Sequence, residues 1–215
     1  MTGARGLLAG AIIAGGQSSR MHAAGVSGDK FLQVLGPVTV IGHVAARLRP
    51  QVDQLFINAN GDPARLAGLG LPVVADLPAV HGGPLVGIST ALAHARDAAR
   101  LLTAAADTPF LPPDLAARLR ARQAETGAEI VLSASAGRIH PLFGLWATCL
   151  RARLESWLAA TEKASVLAFA GHIGFETVDF AFATDEDGRA ACDPFFNINR
   201  PGDLELARRL YERRT

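Results

Sequence analysis

Two glycines and several cationic side chains follow the first apolar run, in the stretch AIIAGGQSSRMHAAGVSGDK at residues 11–30. Gly15 and Gly16 carry no side chain, so their amides can closely approach an anion or a base. Arg20 and Lys30 supply donors and positive charge suited to a triphosphate. The spacing matches neither the P-loop pattern nor the dinucleotide-binding glycine fingerprint. The stretch therefore indicates a phosphate-binding loop of another kind, with a plain flexible glycine loop as the alternative.

Polar residues and glycines follow two further apolar runs. Asn58, in LFINANGD, can read a base or ribose edge, or it can form an ordinary Asx turn. Asp76 follows LPVV, and the turn at Gly83 leads into a helix whose first amides can face a ligand. Gly87 in the first turn of that helix costs helix stability, which indicates close backbone approach.

Asp107 comes directly after the buried run LLTAAA. A carboxylate in that place is costly unless it is solvated, paired or bound to a metal. Magnesium is normally held by one or two carboxylates together with substrate phosphates, so Asp107 is a natural Mg²⁺ ligand. The alternative is an aspartate that only caps a turn.

Short apolar runs that alternate with helical patterns must position these side chains. The pattern predicts strands at residues 7–14, 54–58, 72–75, 101–105 and 129–133, and helices at 40–49, 85–96 and 113–125. Such alternation predicts an α/β fold with a mostly parallel sheet covered on both faces. Ligands bind beyond the carboxyl ends of the strands in these folds, where the polar residues above are expected.

The second half of the sequence is less regular. It predicts a short strand in RIHPLFGLW, helices at 148–158 and 166–170, a strand in FETVDF, and a last helix that begins at Pro201. No repeat or long linker divides the chain, so we expect one domain over residues 1–215. Trp146 and Trp157 are expected in the core or in a pocket wall. The arginines at 118, 120 and 122 are expected on a solvated helix face.

Composition excludes several classes of protein. With 49% hydrophobic residues and a net charge of +1, neither disorder nor a general affinity for nucleic acid or membranes is indicated. The two cysteines lack a C-x-x-C partner, and the six histidines show no zinc spacing. The segment GLLAGAIIAGG imitates a signal peptide, but its apolar part is short and continues into the glycine motif. We therefore expect a cytoplasmic protein.

Seven motifs together resemble a known family. IIAGGQSSRM…DK, INAN, VVAD, GGPLVGI, ADTPFLP, HPLFGLW and FFNINRPGDLELA occur in the order found in molybdenum cofactor guanylyltransferases, across residues 7–210. The resemblance implies a single Rossmann-like, three-layer nucleotidyltransferase domain of the glycosyltransferase-A type. Such enzymes use Mg²⁺ to transfer GMP from GTP to the phosphate of molybdopterin carrying molybdenum, giving molybdopterin guanine dinucleotide and pyrophosphate. Transient contacts with other proteins of that pathway are implied as well, and we expect a monomer.

The resemblance also implies roles for residues. Lys30 would bind the phosphates, and Asp107 would bind nucleotide and Mg²⁺. From the charges of the first stretch, and not from the resemblance, we expect Arg20 and Lys30 to stabilise the departing pyrophosphate. The resemblance also implies that guanine or ribose is bound by Ile13, Ala14 and Gly15, that the nucleotide is bound by Asn58 and Asp76, and that the metal or molybdopterin site is completed by Asn197 and Asn199. The backbone arguments above add Gly16, Gly83 and Gly87 to the binding positions. Arg138 could help to bind the acidic pterin, and His140 could orient a phosphate or stand in a turn. One departure is the run HAAGVSG before Asp29, which leaves open whether Lys30 takes the family's usual place.

Other functions are compatible with parts of this pattern. A transferase that uses CTP on molybdopterin, or one that acts on a sugar or polyol phosphate, would need the same fold. AGG after the first strand and the FFNINRPGDL motif resemble the guanylyl-specific group. A non-catalytic module that delivers the cofactor is a second possibility, and the presence of Arg20, Lys30 and Asp107 together argues against it. A dinucleotide-dependent oxidoreductase would require the absent glycine fingerprint.

Overall fold

The computed structural model describes residues 6–15, 29–79, 81–162, 164–182 and 192–213. Its strands are β1 (Leu8–Ile13), β2 (Val34–Leu35), β3 (Val38–Thr39), β4 (Gln54–Asn58), β5 (Val73–Val74), β6 (Arg100–Ala105), β7 (Ile130–Ser135), β8 (Arg138–Ala147) and β9 (Glu176–Asp179). Its α-helices are α1 (Val40–Leu48), α2 (Pro84–His94), α3 (Leu115–Thr126), α4 (Arg151–Ala160), α5 (Val166–Ile173) and α6 (Pro201–Glu212).

Seven strands form one sheet in the order β5-β4-β1-β6-β8-β7-β9. Every neighbouring pair is parallel except the two that involve β8, which runs antiparallel to both β6 and β7. The predicted α/β class and the mostly parallel sheet are confirmed. The strand predicted in RIHPLFGLW is present, but it is longer than expected, because β8 spans ten residues. A tight turn through Ala136 and Gly137, both with positive φ, joins it to β7 as a hairpin.

The predicted helices form within one or two residues of their expected bounds for α1, α2 and α3. Local signals explain where they begin: the Thr39 hydroxyl accepts from the Gly42 amide at 3.2 Å, and the Ser165 hydroxyl caps α5 in the same way. Pro84 and Pro201 stand in the first turns of α2 and α6. The helix predicted at 148–158 begins as the 3₁₀ segment Thr148–Leu150 and continues as α4, and the 3₁₀ segment Arg49–Gln51 extends α1. The 3₁₀ segments Lys30–Leu32 and Pro63–Leu69 were not predicted.

Two apolar layers cover the two faces of the sheet. Leu8 and Ile12 of β1 pack with α1 and α3, whereas Ala9, Ala11 and Ile13 pack with α2, α4 and α5. This alternation along one buried strand gives the three-layer arrangement that a continuous apolar run predicts. Within the described ranges, no helix is both long and apolar enough to cross a bilayer.

Individual core predictions can be compared with the structure. Trp146 is fully buried in the layer of α2, and Trp157 packs against its edge. Neither cysteine forms a disulfide: Cys149 is exposed and Cys192 is buried. A smaller cluster joins α6 to the β2–β3 hairpin through Leu35, Leu204 and Ala207, among others.

Candidate active site

The carboxyl ends of four parallel strands lie side by side at one edge of the sheet. Ile13 is in register with Asn58 of β4 and with Ala105 of β6, and Asn58 is in register with Val74 of β5. The Ala14 amide donates to the Asn58 carbonyl at 2.8 Å, which continues the pairing by one residue. The strand ends therefore bring Asn58, the last residue of β4, to the same edge as the residues that follow β1, β5 and β6, namely Gly15, Asp76 and Asp107.

Asp107 holds together two distant segments of the chain. Its carboxylate forms an ion pair with Lys30, whose ammonium group also donates to Asn199 Oδ1 at 2.7 Å. The Asp107 carbonyl accepts from the Ile198 amide at 3.0 Å, so the residues on either side, Asn197 and Asn199, are fixed beside it. Lys30 thus reaches Asp107 even though the seven residues HAAGVSG separate Met21 from Asp29 in the sequence.

Several buried oxygen atoms at this edge accept no hydrogen bond. Across the described residues they include Asp107 Oδ1, Thr108 Oγ1 and Asn197 Oδ1. A buried polar atom without a partner is costly, and hard oxygen atoms are the ligands that Mg²⁺ takes. In the part of the chain that the structure describes, no group of three or more His, Cys, Asp or Glu side chains is placed to hold a metal ion. The oxygens therefore fit a cation that shares one carboxylate with substrate phosphates.

Asn58 is fully buried and organises the other half of the edge. Its amide nitrogen donates to Asp76 Oδ1 at 2.8 Å and to the Val74 carbonyl at 3.2 Å. Gly87 of α2 lies against it: a Cβ at Gly87 would stand 2.4 Å from Asn58 Oδ1. The close approach predicted at Gly87 is therefore an approach to the Asn58 side chain.

The other predicted glycines differ in their surroundings. Gly83 precedes α2 with φ +105°, a conformation that favours glycine, and there is open space where its Cβ would stand. Gly15 likewise has open space where a Cβ would stand. The predictions for Gly16 and Arg20 concern residues that lie outside the described part of the chain.

A pocket of about 370 Å³ opens beside the Asp107 segment. Its walls include Arg138, His140, Phe195, Asn197 and Asn199. It combines the Arg138 guanidinium, the Asp193 carboxylate, two amides and aromatic rings, with the His140 and Phe195 ring centroids 4.6 Å apart. Such a lining suits a ligand that is both planar and anionic.

A buried hydrogen-bond network forms one wall of this pocket. Ser135 Oγ lies 2.9 Å from Asp193 Oδ1 and 2.7 Å from His140 Nε2. Ser135 has one hydrogen, and an ionised carboxylate only accepts, so Ser135 donates to Asp193 and accepts from the His140 Nε2–H group. Burial lowers the pKa of His140; Asp193 acts in the opposite direction and Arg138 lowers the pKa further. Because serine stands between the other two, this is no nucleophilic triad.

Several of these contributors were not identified from the sequence. Ser135 and Asp193 lie 58 positions apart, and no local pattern relates them. Asn60 also contacts Asp76, with its Nδ2 2.8 Å from Asp76 Oδ2. Its position two residues after Asn58, in INAN, is a signal that could have indicated it.

Comparison with known proteins decides the family. The model of the MobA-like NTP transferase domain matches residues 10–174. A molybdenum cofactor guanylyltransferase of Brucella ovis is 59% identical over 212 residues, which cover 99% of this chain and 95% of the relative. The chain belongs to the molybdenum cofactor guanylyltransferase family. The resemblance seen in its motifs is thereby confirmed, and the protein is an enzyme of the nucleotidyltransferase class.

Solved structures share the fold of this protein. Molybdopterin-guanine dinucleotide biosynthesis protein A from Archaeoglobus fulgidus aligns with a TM-score of 0.71 at 21% identity, covering 95% of this chain and 98% of that one. A Mycobacterium tuberculosis protein in complex with manganese aligns with a TM-score of 0.67 at 17% identity, covering 96% and 100%. Both likenesses support the predicted Rossmann-like architecture.

Proposed function

We propose that this enzyme transfers GMP from GTP to the terminal phosphate of molybdopterin carrying molybdenum. An oxygen of the acceptor phosphate bonds to the α-phosphorus of GTP, and the bond from that phosphorus to the bridging oxygen breaks. Pyrophosphate leaves with that oxygen, so no protein nucleophile is required. The observation that carries the proposal is the Asp107–Lys30–Asn199 cluster at the strand ends, in a chain whose relatives are named guanylyltransferases.

Asp107 fits the role of Mg²⁺ ligand. One of its carboxylate oxygens is paired with Lys30, whereas the other, Oδ1, is buried and accepts no hydrogen bond. Asn197 Oδ1 is a second buried oxygen of this kind. When bound, the metal ion would supply Lewis-acid polarisation of a phosphate oxygen. The manganese complex of the M. tuberculosis structural neighbour supports a divalent metal in this fold.

In this proposal the positive charges of Lys30 and Arg20 bind and stabilise the phosphate groups. Lys30 holds its ammonium group at the strand edge, where charge that develops on the departing pyrophosphate is stabilised by a prepositioned donor. Arg20 is proposed to share this task. Ile13, Ala14, Gly15 and Gly16 would contact guanine or ribose.

The remaining predicted residues divide between the two substrates. Asn58 and Asp76 bind the nucleotide; Gly83 leaves room beside it, and Gly87 leaves room for the Asn58 side chain. Asn197 and Asn199 contribute to the wall of the 370 Å³ pocket, which would receive the acceptor together with Arg138. We also propose one domain over residues 1–215, a monomer in the cytoplasm, and transient contacts with proteins that handle molybdopterin.

Substitution of Asp107 by Asn tests the metal role in this proposal. The change keeps the shape of the side chain and removes the charge that binds both Mg²⁺ and Lys30. We expect Mg²⁺-dependent pyrophosphate release from GTP and acceptor to fall by about 100-fold or more. The matched control is Asp97→Asn, because the Asp97 side chain is 87% exposed and far less constrained. Release at the wild-type rate from Asp107→Asn would contradict the assignment.

A further inference from the structure

The residue that precedes Lys30 makes an ion pair of its own. The Asp29 carboxylate pairs with the guanidinium group of Arg65, and the two side chains are 22% and 28% exposed. Asp29 occupies the N-cap position of the 3₁₀ segment Lys30–Leu32, a place where aspartate commonly caps the backbone. Here its side chain forms no capping hydrogen bond, so this carboxylate interacts with Arg65 instead.

Arg65 in turn contacts the β4–β5 half of the site. Its second guanidinium nitrogen donates to the carbonyl of Asn60, and the guanidinium lies 5.7 Å from the centroid of the buried Phe31 ring. Asn60 makes two hydrogen bonds with Asp76: its Nδ2 donates to Asp76 Oδ2 at 2.8 Å, and its Oδ1 accepts from the Asp76 amide at 2.9 Å. A continuous series of polar contacts therefore runs from the Lys30 segment to Asp76 and Asn58.

Asp29 and Lys30 are thus held from two sides. Asp29 is tied through Arg65 to the segment after β4, while Lys30 is tied to Asp107 after β6 and to Asn199. A forked guanidinium that binds a carboxylate and a carbonyl together restricts position more than a point charge does.

We propose that Arg65 is a positioning residue that fixes the Lys30 ammonium group at the strand edge and couples it to the Asp76–Asn58 side. The kinetic part of this inference rests on the proposed function; the structural part does not. Arg65→Ala is expected to lower kcat/KM for GTP by about 10- to 100-fold, because misplacement by about 1 Å has effects of that size. The melting temperature should change little, since a partly exposed ion pair contributes little stability.

Three further variants separate positioning from a loss of charge. Arg65→Lys keeps a cation for Asp29 but loses the fork, so kcat/KM should fall between those of wild type and Arg65→Ala. Asp29→Asn keeps the Arg65 charge and breaks the ion pair, so it should lower kcat/KM in the same direction. The matched control is Arg49→Ala: Arg49 donates to the Leu69 carbonyl at 3.3 Å, in the same 3₁₀ segment as Arg65, and should leave kcat/KM unchanged.

Hydrogen–deuterium exchange of the same variants tests the anchoring without any turnover. The Leu32 and Gln33 amides bond to the carbonyls of Asp29 and Lys30 at 3.0 and 3.3 Å, so they report on this segment. We expect exchange at these amides to be several-fold faster in Arg65→Ala and unchanged in Arg49→Ala. Unchanged exchange, or an unchanged kcat/KM in an enzyme whose wild type is active, would overturn the proposal. A wild type without turnover would instead refute the proposed function, and exchange alone would then decide whether Arg65 anchors Lys30.

Discussion

Gly87 provides a direct test of how the site is assembled, because a methyl group added there would contact the buried side chain of Asn58. The added Cβ of Gly87→Ala would lie 2.4 Å from Asn58 Oδ1 and 3.2 Å from Ile13 Cγ2. Asn58 must move by roughly 1 Å before this contact becomes an ordinary van der Waals contact. That movement disturbs the hydrogen bonds of Asn58 to Asp76 and Val74, at 2.8 and 3.2 Å.

The size of the effect follows from opposing contributions. Alanine is a better helix former than glycine by about 1 kcal/mol. Overpacking costs about 1–3 kcal/mol, and each disturbed hydrogen bond contributes about 1 kcal/mol. With both hydrogen bonds of Asn58 disturbed, we therefore expect a net loss of about 2–4 kcal/mol in the free energy of unfolding. At this chain length each kcal/mol lowers Tm by about 2–4 °C.

A second glycine offers the matched control. Gly171 lies inside α5, and nothing stands within 4 Å of the place its Cβ would take. Gly171→Ala should therefore raise stability by up to about 1 kcal/mol, and the difference between the two variants isolates the contact with Asn58. Thermal melts followed by circular dichroism measure stability, and pyrophosphate release measures KM for GTP, which should rise about tenfold in Gly87→Ala only. A Gly87→Ala protein as stable as Gly171→Ala, with wild-type KM, would refute the reasoning.

Two further predictions concern the cation and the buried histidine. Lys30→Ala should lower kcat/KM for GTP by about 100-fold, because a prepositioned donor is lost; wild-type pyrophosphate release would show that Lys30 does not act on the phosphates. Burial holds the pKa of His140 below its ordinary value, so the unfolded chain binds more protons as pH falls below about 6.5. Stability contributed by neutral His140 is present above that pH and lost below it. Urea denaturation at pH 7.5 and 5.5 should show a smaller loss for His140→Gln than for wild type, and equal losses would contradict this.

Much of the fold can be predicted from short patterns in the sequence. β1, β4 and β6 are short apolar runs whose ends carry Gly15, Asn58 and Asp107, so both the parallel sheet and its polar edge can be predicted from period and position. The β7–β8 hairpin was harder to predict. Its turn places Ala136 at φ +46°, although sequences of such turns usually carry Asn, Asp or Gly there.

The contacts between segments could not be predicted in the same way. Asp29 and Arg65 lie far apart in the sequence, as do Ser135 and Asp193, and many other charged or polar pairs would have been equally plausible. Which of them meet depends on the register of strands and on the path of loops, and neither is encoded in a short window. The resemblance predicted that Lys30 and Asp107 contribute to one site. Their ion pair shows that Lys30 lies next to Asp107 despite the seven residues HAAGVSG that precede Asp29.

The most direct test of the central claim is product analysis with two nucleotides. The wild-type protein is incubated with molybdenum-loaded molybdopterin, Mg²⁺ and either GTP or CTP; pyrophosphate release is followed, and the product is identified by mass spectrometry. The account predicts release with GTP and a molybdopterin guanine dinucleotide product, with little release from CTP. Release with CTP alone would contradict the choice of base, and no release with either nucleotide from folded protein and verified acceptor would contradict the proposed reaction.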